Sequence, residues 1–155
     1  MSLHYATSIP SLHLLSKCKS IDSLRKAHAI LTGNGLMSDI SCATKLVSLY
    51  GAFEYTKDAR LVFDQIPEPD FYLLKVMLSC YHQNRESLEV DLDNGKKIHC
   101  DIVRAPGSGD IVLTGLVDMY AKCGEIESSG RVFDSITLRN VVSWTSMIAG
   151  YVKTA

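Results

Sequence analysis

Two stripes of residues have the types and spacing to touch a nucleotide. Ile111, Thr114, Asp118 and Lys122 recur at i, i+3, i+7 and i+11, and Val142, Thr145, Ala149 and Lys153 repeat that spacing. On a helix each set runs along one side, from an aliphatic side chain through a hydroxyl to a lysine. A flat base can rest against the aliphatic, its edge can meet the hydroxyl, and the ammonium can reach a phosphate. These are the elements a repeat module needs to read single-stranded RNA. A third stripe, Ser41, Thr44, Ser48 and Ala52, lacks both the aliphatic and the cation. Its grip is expected to be weak.

The same residues have a plainer reading. Asp39, Asp70, Asp110 and Asn140 lie just before or at the start of a helix, where a side-chain oxygen caps free backbone N–H groups. A threonine in a first turn is ordinary, and Lys122 and Lys153 can simply be solvated. A carboxylate can accept from a guanine edge, yet it also repels phosphate.

Bulk properties narrow the choice. Of 155 residues, 46% are hydrophobic and 21% charged, the balance of a folded protein and not of a disordered one. Net charge is -1 and the pI about 6.5. A protein that wraps nucleic acid is normally basic, so any such function must come from local placement of charge. Apolar runs are too short for a transmembrane helix, and no membrane association is expected. Cys18, Cys42, Cys80, Cys100 and Cys123 are scattered without a CxxC or a Cys/His cluster, which argues for buried thiols in a reducing compartment and against zinc. The first 21 residues contain no acid, and Lys17 and Lys19 are basic, a weak likeness to a transit peptide because arginine is absent. Periodic helix is expected from about Ile9, which leaves either a leader already removed or a mature N-terminus.

What must position the stripes is written twice in the chain. KLVSLYGAFEYTKDARLVFDQI, Lys45 to Ile66, lies over GLVDMYAKCGEIESSGRVFDSI, Gly115 to Ile136, with every matched pair 70 residues apart. Met77 and Tyr81 return as Met147 and Tyr151, and Ala27-His28 returns as Ile98-His99. Seventy residues suit two helical hairpins of about 35. Leu113, Leu116, Val117 and Tyr120 form one buried helical face, and Gly124 breaks that helix. Ile126, Ser129, Gly130 and Phe133 make a second helix with a small-residue waist, matched earlier by Thr56, Ala59, Arg60 and Phe63. Pro67 and Pro69 end the earlier copy. The periodicity predicts an all-α stack of antiparallel hairpins. It forms one array over 1–155, with units Tyr5–Asp39, Ile40–Asp70, Phe71–Gly109, Asp110–Asn140 and a partial Val141–Ala155. Unit three is irregular, with about four extra residues around Asn84 to Asp93; loss of an internal repeat or an insertion would each explain it.

An array with units of 35 and 31 residues, carrying LVDMYAKCGEIESSGRVFDSITLRN and VVSWTSMIAGYVK, resembles the pentatricopeptide repeat family, specifically its plant subclass of alternating repeat lengths. SLRKAHAI and NGKKIHC look like its longer variant repeat. The resemblance implies a right-handed α-solenoid that binds single-stranded RNA, one base per repeat. Such proteins work in mitochondria or plastids and serve editing, splicing or stability there as non-catalytic adaptors. It further implies that the fifth and last residues of a unit face one base edge. Carried over, these are Thr44 with Asp70, of the guanine-favouring type, and Thr114 with Asn140, of the adenine-favouring type. Thr145 stands in a partial unit whose closing residue is missing. Ile111 and Val142 would sandwich bases, and Lys122 and Lys153 would meet phosphate. Lys75 with Gly109 forms no recognised pair, and Ile9 with Asp39 is a variant of uncertain reading.

Tyr50, Tyr81, Tyr120 and Tyr151 fall on the apolar stripe, which favours core packing over base stacking. His28 and His99 lie in second helices, with packing or capping the better assignment and metal binding remote. No phosphate loop, nucleophile elbow or paired-carboxylate motif is present, so catalysis is not expected and no cofactor is implied. Two legible base pairs of residues select too little sequence to address one transcript. An additional protein partner or a homodimer through the exposed face of the last helix is therefore expected. The rival reading is a protein-interaction scaffold that uses the same surface without reading RNA.

Overall fold

The apolar periodicity closes into helices that begin and end where the capping residues fall. The structure, a computed structural model, describes residues 3–84, 88–104 and 109–155, and side chains from Pro10 onward except those of 88–91 and Asn94. The extra turn of unit three therefore lies partly outside the described residues, as does the side chain of Ile9. The elements are α1 (Leu3–Ser16), α2 (Ile21–Gly33), a 3-10 turn (Leu36–Ser38), α3 (Ile40–Ala52), α4 (Thr56–Asp64), α5 (Phe71–Gln83), α6 (Leu88–Arg104), α7 (Asp110–Cys123), α8 (Ile126–Ser135) and α9 (Val141–Thr154). Among the described residues there is no strand, and the chain is an all-α helical repeat. Helix α1 starts six residues ahead of the Ile9 that periodicity suggests.

The chain divides into two compact units, Met1–Cys80 and Tyr81–Ala155. In the first, α3 and α4 pair as a hairpin, and α1 packs beside α3. In the second, α7 and α8 pair, and α7 packs beside α9. Each hairpin thus buries one face within itself and lends another to a neighbour, the arrangement that stacks repeats. Leu46, Val47, Tyr50, Ala59, Val62 and Phe63 fill the first core, and Leu116, Val117, Tyr120, Ser129, Val132 and Phe133 the second. At the waist of α8 the buried Ser129 hydroxyl donates to the Val117 carbonyl at 2.9 Å, so a small polar side chain lets the two helices approach.

Both inner hairpins turn through the same capping motif. The amide of Glu125 bonds the Tyr120 carbonyl at 2.9 Å, and the amide of Tyr55 bonds that of Tyr50 at 2.8 Å. The residue between must be left-handed. In the later copy it is Gly124, at φ 81°, but in the earlier it is Glu54, at φ 67°. A side chain there costs about 1–2 kcal/mol.

His28 and His99 pack against buried tyrosines of a neighbouring helix. His28 Nδ1 lies 2.9 Å from the Tyr50 hydroxyl, and His99 Nδ1 lies 3.0 Å from that of Tyr120. The rings meet edge to face, with centroids 5.7 Å apart in both copies. A buried tyrosine needs a partner for its hydroxyl, and here the second helix of one hairpin supplies it to the first helix of the next. Burial holds both histidines below their ordinary value. Asp58 opposes this at His28, and Arg131 reinforces it at His99. Burial also raises the two tyrosines.

Tyr50, Tyr81 and Tyr120 are core residues as expected, whereas Tyr151 is 59% exposed. It holds the place in α9 that Tyr120 holds in α7, and α8 packs against α9, but Gly130 stands where a histidine would reach its hydroxyl and no later helix covers α9 among the described residues. Val141, Ile148 and Val152 are exposed with it.

Two outcomes follow from these packings. Glu54→Gly is expected to stabilise the fold by about 1 kcal/mol and Gly124→Ala to destabilise it by a similar amount, read from urea denaturation. A histidine whose folded pKa is depressed binds its proton more readily when unfolded. The stability it contributes is full above the ordinary value of 6.5 and is lost as pH falls through the lowered folded value. The thermal midpoint should therefore drop between about pH 7.5 and about pH 5.5, and His28→Gln with His99→Gln should flatten that slope.

Candidate functional site

The three candidate threonines behave alike. Thr44, Thr114 and Thr145 each donate their hydroxyl to the carbonyl four residues back, on Ile40, Asp110 and Val141, all at 2.7 Å. With its proton so committed, each hydroxyl offers a ligand an oxygen acceptor. Thr44 and Thr114 are buried, while Thr145 is exposed. Ile111 and Val142, which begin the stripes of α7 and α9, are 58% and 59% exposed.

Three of the residues that close the units, Asp39, Asp70 and Asn140, are caps. Asn140 Oδ1 accepts from the Ser143 amide at 2.9 Å, and Ser143 Oγ returns the bond to the Asn140 amide at 3.1 Å. Asp70 Oδ1 accepts from the Leu73 amide at 2.8 Å. Each cap uses one atom of a two-pronged side chain. Asn140 keeps its NH₂, a donor, and Asp70 keeps a second oxygen, an acceptor. Both residues are exposed. Asp39 also caps, accepting from Ser41 and Cys42 at 2.8 and 3.3 Å.

Asp110 does not cap its own helix. Its Oδ1 and Oδ2 accept from the amides of Thr137 and Leu138, 27 and 28 residues ahead, at 3.1 and 2.8 Å. It is thereby tied to the linker that leads to Asn140. Arg139 in that linker donates to the carbonyls of Phe133 at 3.2 Å and Asp134 at 3.3 Å, and stacks over the Phe133 ring at 4.8 Å. Trp144 meets the same ring edge to face.

The candidate phosphate lysines are engaged. Lys122 Nζ bonds the Asp118 carboxylate and lies 3.0 Å from a ring nitrogen of His82. Asp118 Oδ1 accepts from the buried Ser146 hydroxyl at 3.0 Å. Lys153 Nζ donates to the Lys122 carbonyl at 2.6 Å, at the C-terminal turn of α7 where a cation is favoured. The Asp118–Lys122 pair was legible from its i, i+4 spacing. His82 and Ser146 carried no signal, since each reaches the cluster from another helix. Partly exposed pairs of this kind hold by about 0–1 kcal/mol, so an incoming phosphate can compete for the lysine.

The second compact unit thus assembles Ile111, Thr114, Asn140, Val142, Thr145, Lys122 and Lys153 on α7, α9 and the linker between α8 and α9. Thr44 and Asp70 belong to the first unit, as does Lys75, which is exposed on α5. Among the described residues no three His, Cys, Asp or Glu side chains converge as a metal site, and no helix is long and apolar enough to cross a membrane.

Comparison with known proteins agrees with this architecture. The family model for the PPR repeat matches residues 142–154, nearly all of α9. A mitochondrial pentatricopeptide repeat-containing protein of Arabidopsis thaliana is 63% identical over 98% of this chain, which spans 26% of that relative. A chloroplastic pentatricopeptide repeat-containing protein of the same plant is 31% identical over 91% of this chain, itself 22% of that relative's length. The first match extends over 182 residues, about 30 more than this chain brings to it, close to one short unit. With its paired helices, its 70-residue echo and its likeness to these relatives along nearly its whole length, the chain belongs to the pentatricopeptide repeat family.

Proposed function

We propose that this chain is a non-catalytic adaptor that contacts single-stranded RNA in an organelle, with the mitochondrion first and the plastid as the alternative. Editing, splicing and stabilisation are the processes such an adaptor would serve. The observation that carries the reading is the divided use of the closing side chains. Capping fixes Asn140 and Asp70 through one atom and leaves the other available, and the threonine of each pair has an oxygen that can only accept. Thr114 with Asn140 then offers one acceptor and one donor, which suits adenine with its exocyclic amino group and ring-nitrogen acceptor. Thr44 with Asp70 offers two acceptors, which suits the N–H groups of guanine.

Ile111 and Val142 supply exposed apolar surface for base faces, and Lys122 and Lys153 supply cations for phosphate once released from their present partners. The irregular third unit we read as two repeats fused by loss of about one short unit, in keeping with the longer span of the mitochondrial relative. It fits the plant subclass of alternating repeat lengths.

A scaffold that binds protein without reading RNA is the second reading, favoured by the engagement of both stripe lysines. The apolar side of α9, with Val141, Ile148, Tyr151 and Val152, is its natural contact, for a protein partner or a second copy.

Titration against short RNAs carrying G and A two positions apart separates these readings. Asn140→Asp should move the preference at its position from adenine toward guanine by about 1–3 kcal/mol, and Thr114→Ala should weaken both. Binding at low salt that ignores both substitutions removes the base-reading claim. Light scattering is expected to show self-association relieved by Ile148→Glu; a tight soluble monomer of the unaltered chain counts against a second copy on α9.

A further inference from the structure

We propose that Asp110 is a positioning residue that sets Asn140 at a fixed distance from Thr114, so that both can address one base. The proposal rests on the base-reading function above. A continuous path joins the two readers. The Thr114 hydroxyl donates to the Asp110 carbonyl at 2.7 Å, the Asp110 carboxylate receives the amides of Thr137 and Leu138, and Asn140 follows two residues later. Asn140 is itself locked to the start of α9 by its reciprocal bonds with Ser143. The carboxylate therefore ties the first turn of α7 to the first turn of α9.

Two features of the chain set this contact apart from ordinary capping. First, the carboxylate sits where it could favour the N-terminus of its own helix, whose cap position is Gly109 without a side chain, yet it bonds the distant linker. Second, the equivalent unit solves the same problem differently. Seventy residues earlier, Thr137 and Arg139 are replaced by Pro67 and Pro69, and Asp110 by Ile40. Pro67 has no N–H to offer, and Ile40 has no oxygen to receive one; proline stiffens that linker by fixing φ instead. The acceptor and one of its two donors are present in one unit and absent together in the other, where Glu68, in place of Leu138, keeps the remaining N–H. A carboxylate at 110 kept only for helix stability or solubility would not track the linker in this way.

The experiment uses the full chain and two readouts. Amide hydrogen exchange without RNA should show Thr137 and Leu138 losing protection in Asp110→Ala, and unchanged exchange overturns the tie whatever the RNA result. In binding to short RNAs, Asp110→Ala should lower the adenine-over-guanine ratio at the Asn140 position by about fivefold to tenfold, the scale of one base contact. Asp110→Ile combined with Thr137→Pro and Arg139→Pro, which transplants the proline solution, should restore the ratio to within about twofold. If Asp110→Ala weakens all RNAs equally and leaves the ratio intact while Asn140→Asp still shifts it, the residue is merely structural and this inference fails with base reading unharmed. If Asn140→Asp leaves the ratio unmoved in the otherwise native chain, base reading itself fails and the positioning role falls with it.

Discussion

Everything on the candidate face depends on the unpaired amides at the start of each helix. The first turn leaves backbone N–H groups without partners, and a short polar side chain just ahead must satisfy them. At the starts of α3, α5 and α9 those side chains are also the ones that end a repeat. A cap is held in one rotamer by the bond it makes, so its remaining polar atom is delivered in a defined direction at no further entropic cost. At Asn140 and Asp70 capping does not exclude recognition, because one prong serves the fold and the other is left over.

Stacking then multiplies the device. Hairpins of the same length, closed by the same turn and bridged by the same histidine–tyrosine contact, present successive helix starts at a regular interval within each compact unit. Small residues at the waist of the second helices let the layers come close, and the tyrosines fill what remains. The face is consequently a property of the repeat's spacing, and single residues vary its character from unit to unit.

Much of this was written in periodicity. The 70-residue echo, the Gly124 turn, the caps at Asp39, Asp70 and Asn140 and the proline stops all depend on local rules that a single helix obeys on its own. What escaped the sequence is what crosses between helices. His28 finds Tyr50 22 residues away, and Asp110 finds its amides at 27 and 28, separations that no local pattern encodes. Glu54 was hidden for another reason: packing on both sides forces a left-handed residue there, and tertiary structure overrides the preference of glutamate. Tyr151 matched its buried counterparts in spacing, but burial needs a covering helix as well as a position on the stripe.

The lysines carry one more consequence. Because Lys122 is already paired with Asp118, a polyanion arriving on this face would compete with that carboxylate, and the carboxylate left behind would take up a cation that offsets an ion shed by the polyanion. Association of that kind draws little entropy from ion release, so its strength would vary gently with ionic strength. On the proposed reading such a surface would lean on shape and hydrogen bonding more than on the adhesion to nucleic acid that free cations invite.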